Sequence, residues 1–100
     1  MNPVRERALD RLREMVLAAL GQHKGEVYLF GSCARGEERS RSDIDIGILP
    51  RDELPASFFA ELDEAIEEST IPYDVEIVDL RQVGRDFLDE VRRTGIRWRA

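Results

Sequence analysis

The sequence predicts an α/β fold: a small mixed β-sheet packed with helices. Apolar residues recur at helical spacing from Pro3 to Gly21. Two short apolar runs, Val27 to Phe30 and Ile44 to Leu49, then read as strands separated by a polar, glycine-containing stretch. Beyond Pro50 the chain goes on alternating helical and strand patterns, as layered α/β domains do. One hundred residues suffice for one core and not for two, so residues 1–100 are expected to form a single domain.

Asn2-Pro3 supplies a side-chain cap and a proline for the first helical position. Val4, Ala8, Leu12, Met15, Val16 and Ala19 then make one apolar stripe, and Gly21 ends the helix. The run Val27 to Phe30 is apolar on both faces, as in a strand covered on both sides. Gly31 to Gly36 reads as a turn into a short helix, and Pro50 stops the strand that begins at Ile44. Pro55 opens a helix with Phe58, Phe59, Leu62, Ala65 and Ile66 inward and Glu61, Asp63, Glu64, Glu67 and Glu68 outward. A third strand, Tyr73 to Val78, puts Val75 and Ile77 on one face and Asp74, Glu76 and Val78 on the other. The last helix, Gly84 to Arg93, turns Phe87, Leu88 and Val91 inward. Ile96 to Arg99 then alternates like a strand that needs a neighbour for order.

Composition narrows the function. Charged residues are 36% and hydrophobic residues 42%, a globular balance, and no apolar run approaches a membrane span. The N-terminus carries acidic as well as basic residues and lacks the apolar centre of a secretion signal. Cys33, the single cysteine, excludes an internal disulfide and a multi-cysteine zinc site; a reducing, cytoplasmic setting is expected. A net charge of −6 argues against a broad nucleic-acid surface. His23, the single histidine, sits in a polar loop with no catalytic companion.

The chemistry concentrates in Gly31 to Gly47, GSCARGEERSRSDIDIG. On a strand, Asp43 and Asp45 share one face while Ile44, Ile46 and Ile48 fill the other. Neighbouring carboxylates repel unless a cation lies between them, and hard oxygen donors of this kind suit Mg²⁺. The Gly31-Ser32 turn is where backbone N–H groups could approach phosphates. Arg35, beside that turn, and Ser42, beside the aspartates, are candidate nucleotide contacts. Cys33 has no base in view and reads as a small packed residue.

Glycine-serine, ten residues, then D-x-D is the pattern shown by Gly31, Ser32, Asp43 and Asp45. Here the chain resembles the nucleotidyltransferase superfamily that includes DNA polymerase β. It is most similar to the minimal nucleotidyltransferases paired with HEPN-domain proteins, and the resemblance covers nearly the whole chain. It implies the nucleotidyltransferase fold, a nucleoside triphosphate substrate such as ATP, and two Mg²⁺ ions. It also implies a third carboxylate on the neighbouring strand. Val75-Glu76-Ile77-Val78-Asp79 matches the family's run, with Glu76 where the family usually carries aspartate. Asp74, on the same face, is the alternative, and Asp79 is expected to point the other way. By resemblance Asp43, Asp45 and Glu76 are the catalytic metal ligands, and Gly31 and Ser32 hold the β- and γ-phosphates.

Larger relatives grip their acceptor with a second domain. Residues 1–100 are expected to hold none, so another subunit is expected to present the acceptor, and self-association stays open. The family's implication is AMP transfer from ATP to a tyrosine of a HEPN-domain toxin, an antitoxin role. Two other readings stand beside it. One is a catalytically weak module that masks its partner, for which Glu76 is the sequence support; the other is an aminoglycoside-type transferase acting on a small molecule.

Overall fold

The computed structural model describes residues 3–31 and 44–99. Along them the order is α1 (Pro3–Leu20), β1 (Gly25–Phe30), β2 (Ile44–Pro50), α2 (Phe58–Glu67), β3 (Val75–Asp79), α3 (Arg85–Thr94) and β4 (Ile96–Arg99). The strands form one mixed sheet in the order β3-β2-β1-β4. β1 runs antiparallel to both β2 and β4, whereas β2 and β3 are parallel. Parallel neighbours need a crossover, and α2 supplies it.

The expected alternation sorts the side chains to two faces. Val27, Leu29, Ile44, Ile46 and Ile48 bury themselves against Leu12, Val16 and Leu20 of α1 and Phe58, Leu62 and Ile66 of α2. Tyr28, Leu80 and Val91 form the core of the other face, under α3, with Phe30, Val78 and Leu88 packed against it. β1 is therefore covered on both sides, as its unbroken apolar run implied. β4 finds the neighbour it needs in β1 of its own chain, with a register shift at Val27/Tyr28.

Several boundaries and faces differ from the sequence expectation. Val4 is 49% exposed and Arg5 is buried in its place. The buried residues Ala8, Leu12, Val16 and Leu20 recur every fourth position, so the stripe drifts by about 40° per step. Arg5 lies at its centre and Val4 roughly 100° away. The Arg5 guanidinium carbon stands 5.3 Å from the centre of the Tyr73 ring, a cation–π contact that lets the charged end enter an apolar place. Tyr73 is thereby used against α1, and β3 begins two residues later, at Val75. Ala19 and Ala65 are also exposed. α2 starts at Phe58, not Pro55: Phe58 N–H closes a turn on the Pro55 carbonyl at 3.0 Å, and the Ser57 hydroxyl donates to the Glu61 carboxylate.

One polar cluster ties the α3 face together. Glu26 is buried, and its carboxylate accepts from the Tyr28 hydroxyl (2.5 Å), from Arg51 (2.9 Å) and from Arg92 of α3 (3.2 and 3.0 Å). Arg92, foremost, then Tyr28 and Arg51, outweigh burial and hold this carboxyl at about 2, against an ordinary 4.5. A carboxylate whose pKa is lowered by folding stabilises the fold above its unfolded pKa and loses that contribution as protons return. Stability should therefore fall as pH drops from about 4.5 towards about 2. Arg92→Ala should cost about 2 kcal/mol near neutral pH, because Arg51 and Tyr28 remain as partners. It should also flatten the acid dependence. Urea denaturation at pH 7 and pH 3 measures both, and an unchanged acid dependence would show that the cluster contributes nothing.

Candidate active site

β1 leads into Gly31, whose φ of +79° lies in the left-handed region that glycine occupies without strain. A Cβ built on Gly31 would stand 2.5 Å from Asp45 Oδ2. The chain thus turns directly against the Asp45 carboxylate; a side chain there would have to displace that carboxylate and hold a left-handed backbone that suits glycine.

Pairing fixes what lies next to Asp45. It is opposite Phe30 on β1 and opposite Glu76 on β3, so Phe30, Asp45 and Glu76 form one row across three strands. Neighbouring strands are about 4.8 Å apart, and paired residues share a face, so the two carboxylates stand side by side. One row further in are Tyr28, Gly47 and Val78. A Cβ on Gly47 would meet Leu80 Cδ1 at 2.9 Å, so glycine is what lets Leu80 pack down onto the sheet there. Above the row lies a cleft of about 490 Å³, lined by Phe30, Asp45, Glu76, Val78, Val83 and Phe87. Asp45 is half-buried in it and Glu76 is exposed.

The other two carboxylates of the third strand are placed differently. Asp79 pairs with Ile48, which belongs to the α1/α2 face. Its carboxylate accepts from the Arg81 backbone N–H, Nε and Nη2 at 3.0, 3.0 and 2.8 Å. Those bonds hold its carboxyl below the usual range. Asp74 precedes β3, and its carbonyl receives the Ile44 N–H at 2.8 Å. It lines a neighbouring cleft with Asp63, Glu67 and Tyr73, a cleft that Glu76 also borders. Glu76 is therefore the β3 carboxylate that shares the cleft of Asp45.

Of the residues picked from sequence, Gly31, Asp45 and Glu76 come together at this cleft; Ser32, Arg35, Ser42 and Asp43 lie outside the described residues, as does Cys33. Among the described residues no group of three potential ligands is placed to hold a metal ion. The two that meet, Asp45 and Glu76, are hard oxygen donors side by side, which fits a divalent cation such as Mg²⁺. Sequence reasoning missed the aromatic wall. Phe87 was expected inside the α3 core; instead it is 45% exposed and packs edge-to-face on Phe30, ring centres 5.6 Å apart. Its place in the first turn of α3, just after the third strand, was the available signal.

The family model of the polymerase beta nucleotidyltransferase domain matches residues 22–97. The chain belongs to that family. Protein adenylyltransferase MntA of Shewanella oneidensis is 36% identical over 69 residues, covering 69% of this chain and 49% of the relative. A Haemophilus influenzae protein, described as a probable protein adenylyltransferase MntA, is 35% identical over 69 residues, covering 67% and 59%. The chain thus spans about half to three-fifths of the curated relatives it matches. Among solved structures, a candidate minimal nucleotidyltransferase superposes with a TM-score of 0.72 at 32% identity, covering 90% of this chain and 92% of that one. A tri-AMPylated Shewanella oneidensis HEPN toxin in complex with MNT antitoxin gives a TM-score of 0.66 at 25% identity, covering 93% and 70%. The mixed four-stranded sheet is the nucleotidyltransferase fold. No helix among the described residues is long and apolar enough to cross a membrane.

Proposed function

We propose that this chain is a Mg²⁺-dependent protein adenylyltransferase that moves AMP from ATP to a tyrosine hydroxyl of a HEPN-domain partner. The observation that carries the reading is the row Asp45–Glu76 at one cleft, with Gly31 turned against Asp45. The adenylyltransferase relatives and the HEPN–MNT complex support its substrate and partner.

When bound, Mg²⁺ neutralises triphosphate charge and makes the α-phosphorus a better electrophile. Asp45 and Glu76, together with Asp43, would hold it. The left-handed turn at Gly31 leaves its backbone uncovered for the β- and γ-phosphates, with Ser32, Arg35 and Ser42 as further nucleotide contacts. Glu76, exposed at the mouth of the cleft, accepts the proton of the incoming tyrosine hydroxyl. The tyrosine oxygen bonds to the α-phosphorus, the bond from that phosphorus to the bridging oxygen breaks, and pyrophosphate leaves. Most of the rate enhancement comes from positioning and charge neutralisation.

The test is to mix the protein with a HEPN-domain partner, Mg²⁺ and α-labelled ATP. A partner heavier by one or more AMP units in an intact mass spectrum is the expected result. A partner that stays unlabelled, though bound, would favour the masking module instead.

Gly31→Val probes the turn. A β-branched residue at positive φ costs roughly 1–3 kcal/mol, and its Cβ collides with Asp45 Oδ2. Mg²⁺-ATP affinity should fall by tenfold or more, a larger change than the modest drop in melting temperature. Calorimetric titration checks this, and normal ATP binding by the variant would put the phosphates elsewhere.

A further inference from the structure

The cleft has two chemically different kinds of lining: the carboxylates of Asp45 and Glu76, and the apolar side chains of Phe30, Val78, Val83 and Phe87. Apolar side chains of this size normally withdraw from water, yet Phe87 remains 45% exposed. It is also held in place: its ring stands at 88° to that of Phe30, centres 5.6 Å apart, and Phe30 is anchored in β1 opposite Asp45. The result is a fixed aromatic face packed on Phe30, the residue that precedes the Gly31 turn.

We propose that Phe87 is the stacking platform for the nucleobase of the bound nucleoside triphosphate. This rests on the reading of the cleft as a nucleotide site and adds the part of the nucleotide that the carboxylates do not explain. A nucleotide has one charged end and one flat apolar end, and the cleft offers a partner for each. Among the described residues, the side chains around Phe87 in this lining, Phe30, Val78 and Val83, are all apolar. Phe87 therefore reads the face of the base, which adenine and guanine share, and adds affinity without choosing between them.

Isothermal titration of the full chain with Mg²⁺-ATP, Mg²⁺-GTP and Mg²⁺-tripolyphosphate tests the assignment. Phe87→Ala should weaken ATP and GTP alike by about tenfold and leave tripolyphosphate unchanged. Phe87→Trp should keep the nucleotide affinity, and its added indole fluorescence should be quenched by ATP but not by tripolyphosphate. Phe87 is half in solvent, so circular dichroism should show both variants folded.

Equal ATP binding by wild type and Phe87→Ala overturns the proposal and leaves the nucleotide site standing. Loss of tripolyphosphate binding along with ATP overturns it too, because the residue would then be supporting the turn. Unchanged ATP affinity with a raised KM for the protein acceptor would place the acceptor ring on Phe87 and overturn the assignment to the base. Wild-type protein that binds neither nucleotide overturns the nucleotide site itself, and this proposal with it.

Discussion

Asp45→Asn should abolish AMP transfer, by a factor of about a thousand or more, and leave the fold unharmed. The size follows from the role proposed for the carboxylate: removing one preorganised charge from a catalytic site costs about two to three orders of magnitude, and on that reading the same charge also holds the cation. The fold should survive because asparagine has the same shape and Asp45 opens onto the cleft rather than into either core. Mg²⁺-ATP should raise the melting temperature of wild type and leave that of the variant nearly unchanged, because only a protein that binds the ligand gains stability from it. Thermal melts with and without Mg²⁺-ATP therefore show a ligand-dependent shift in wild type alone if Asp45 is a metal ligand. An equal shift in both proteins, or transfer at the wild-type rate, would remove Asp45 from the site.

Much of this arrangement was legible because it depends on periodicity and on chain breaks. Ile44, Ile46 and Ile48 alternate without interruption, so the face of Asp45 followed from strand geometry alone. The Gly31 turn was legible because a strand delivered the chain into glycine. What the sequence does not carry is pairing between distant segments. That Glu76 lies opposite Asp45 is a register between strands 31 residues apart, and the family's run of residues, not spacing, suggested it. The Glu26 cluster joins β1 to Arg51 and to Arg92, 66 residues away, and no local pattern announces such a contact. Arg5 and Val4 exchanged places because a one-residue change of helical phase outweighs side-chain polarity when Tyr73 waits to receive the guanidinium. Phe87 was misread for the opposite reason. Its helical position is inward, but the element it faces is a cleft, which periodicity cannot distinguish from a core.

Glu76 decides between transferase and masking module. Glu76→Gln keeps the side chain's length and removes its charge and its capacity to take a proton, so AMP transfer should fall by about a hundredfold or more. Glu76→Asp shortens the arm by one methylene. Mg²⁺ demands oxygen contacts of about 2.0–2.1 Å in near-octahedral order, so arm length bears directly on the fit. Aspartate is the family's usual residue at this position, and the backbone already sets it beside Asp45, so activity should be kept or raised. Neither change should disturb folding, since Glu76 is exposed and makes no side-chain hydrogen bond or ion pair among the described residues. Asp74→Asn is the control and should be mild, because Asp74 lines the neighbouring cleft. Transfer to the proposed HEPN-domain partner, followed by intact mass, ranks all three. If the chain only masks its partner, toxin neutralisation is the same for every variant and no AMP is transferred by any of them. If Glu76→Gln modifies the partner fully and Asp74→Asn does not, the third carboxylate is Asp74, and the strand pairing of Asp45 with Glu76 serves the sheet rather than the chemistry.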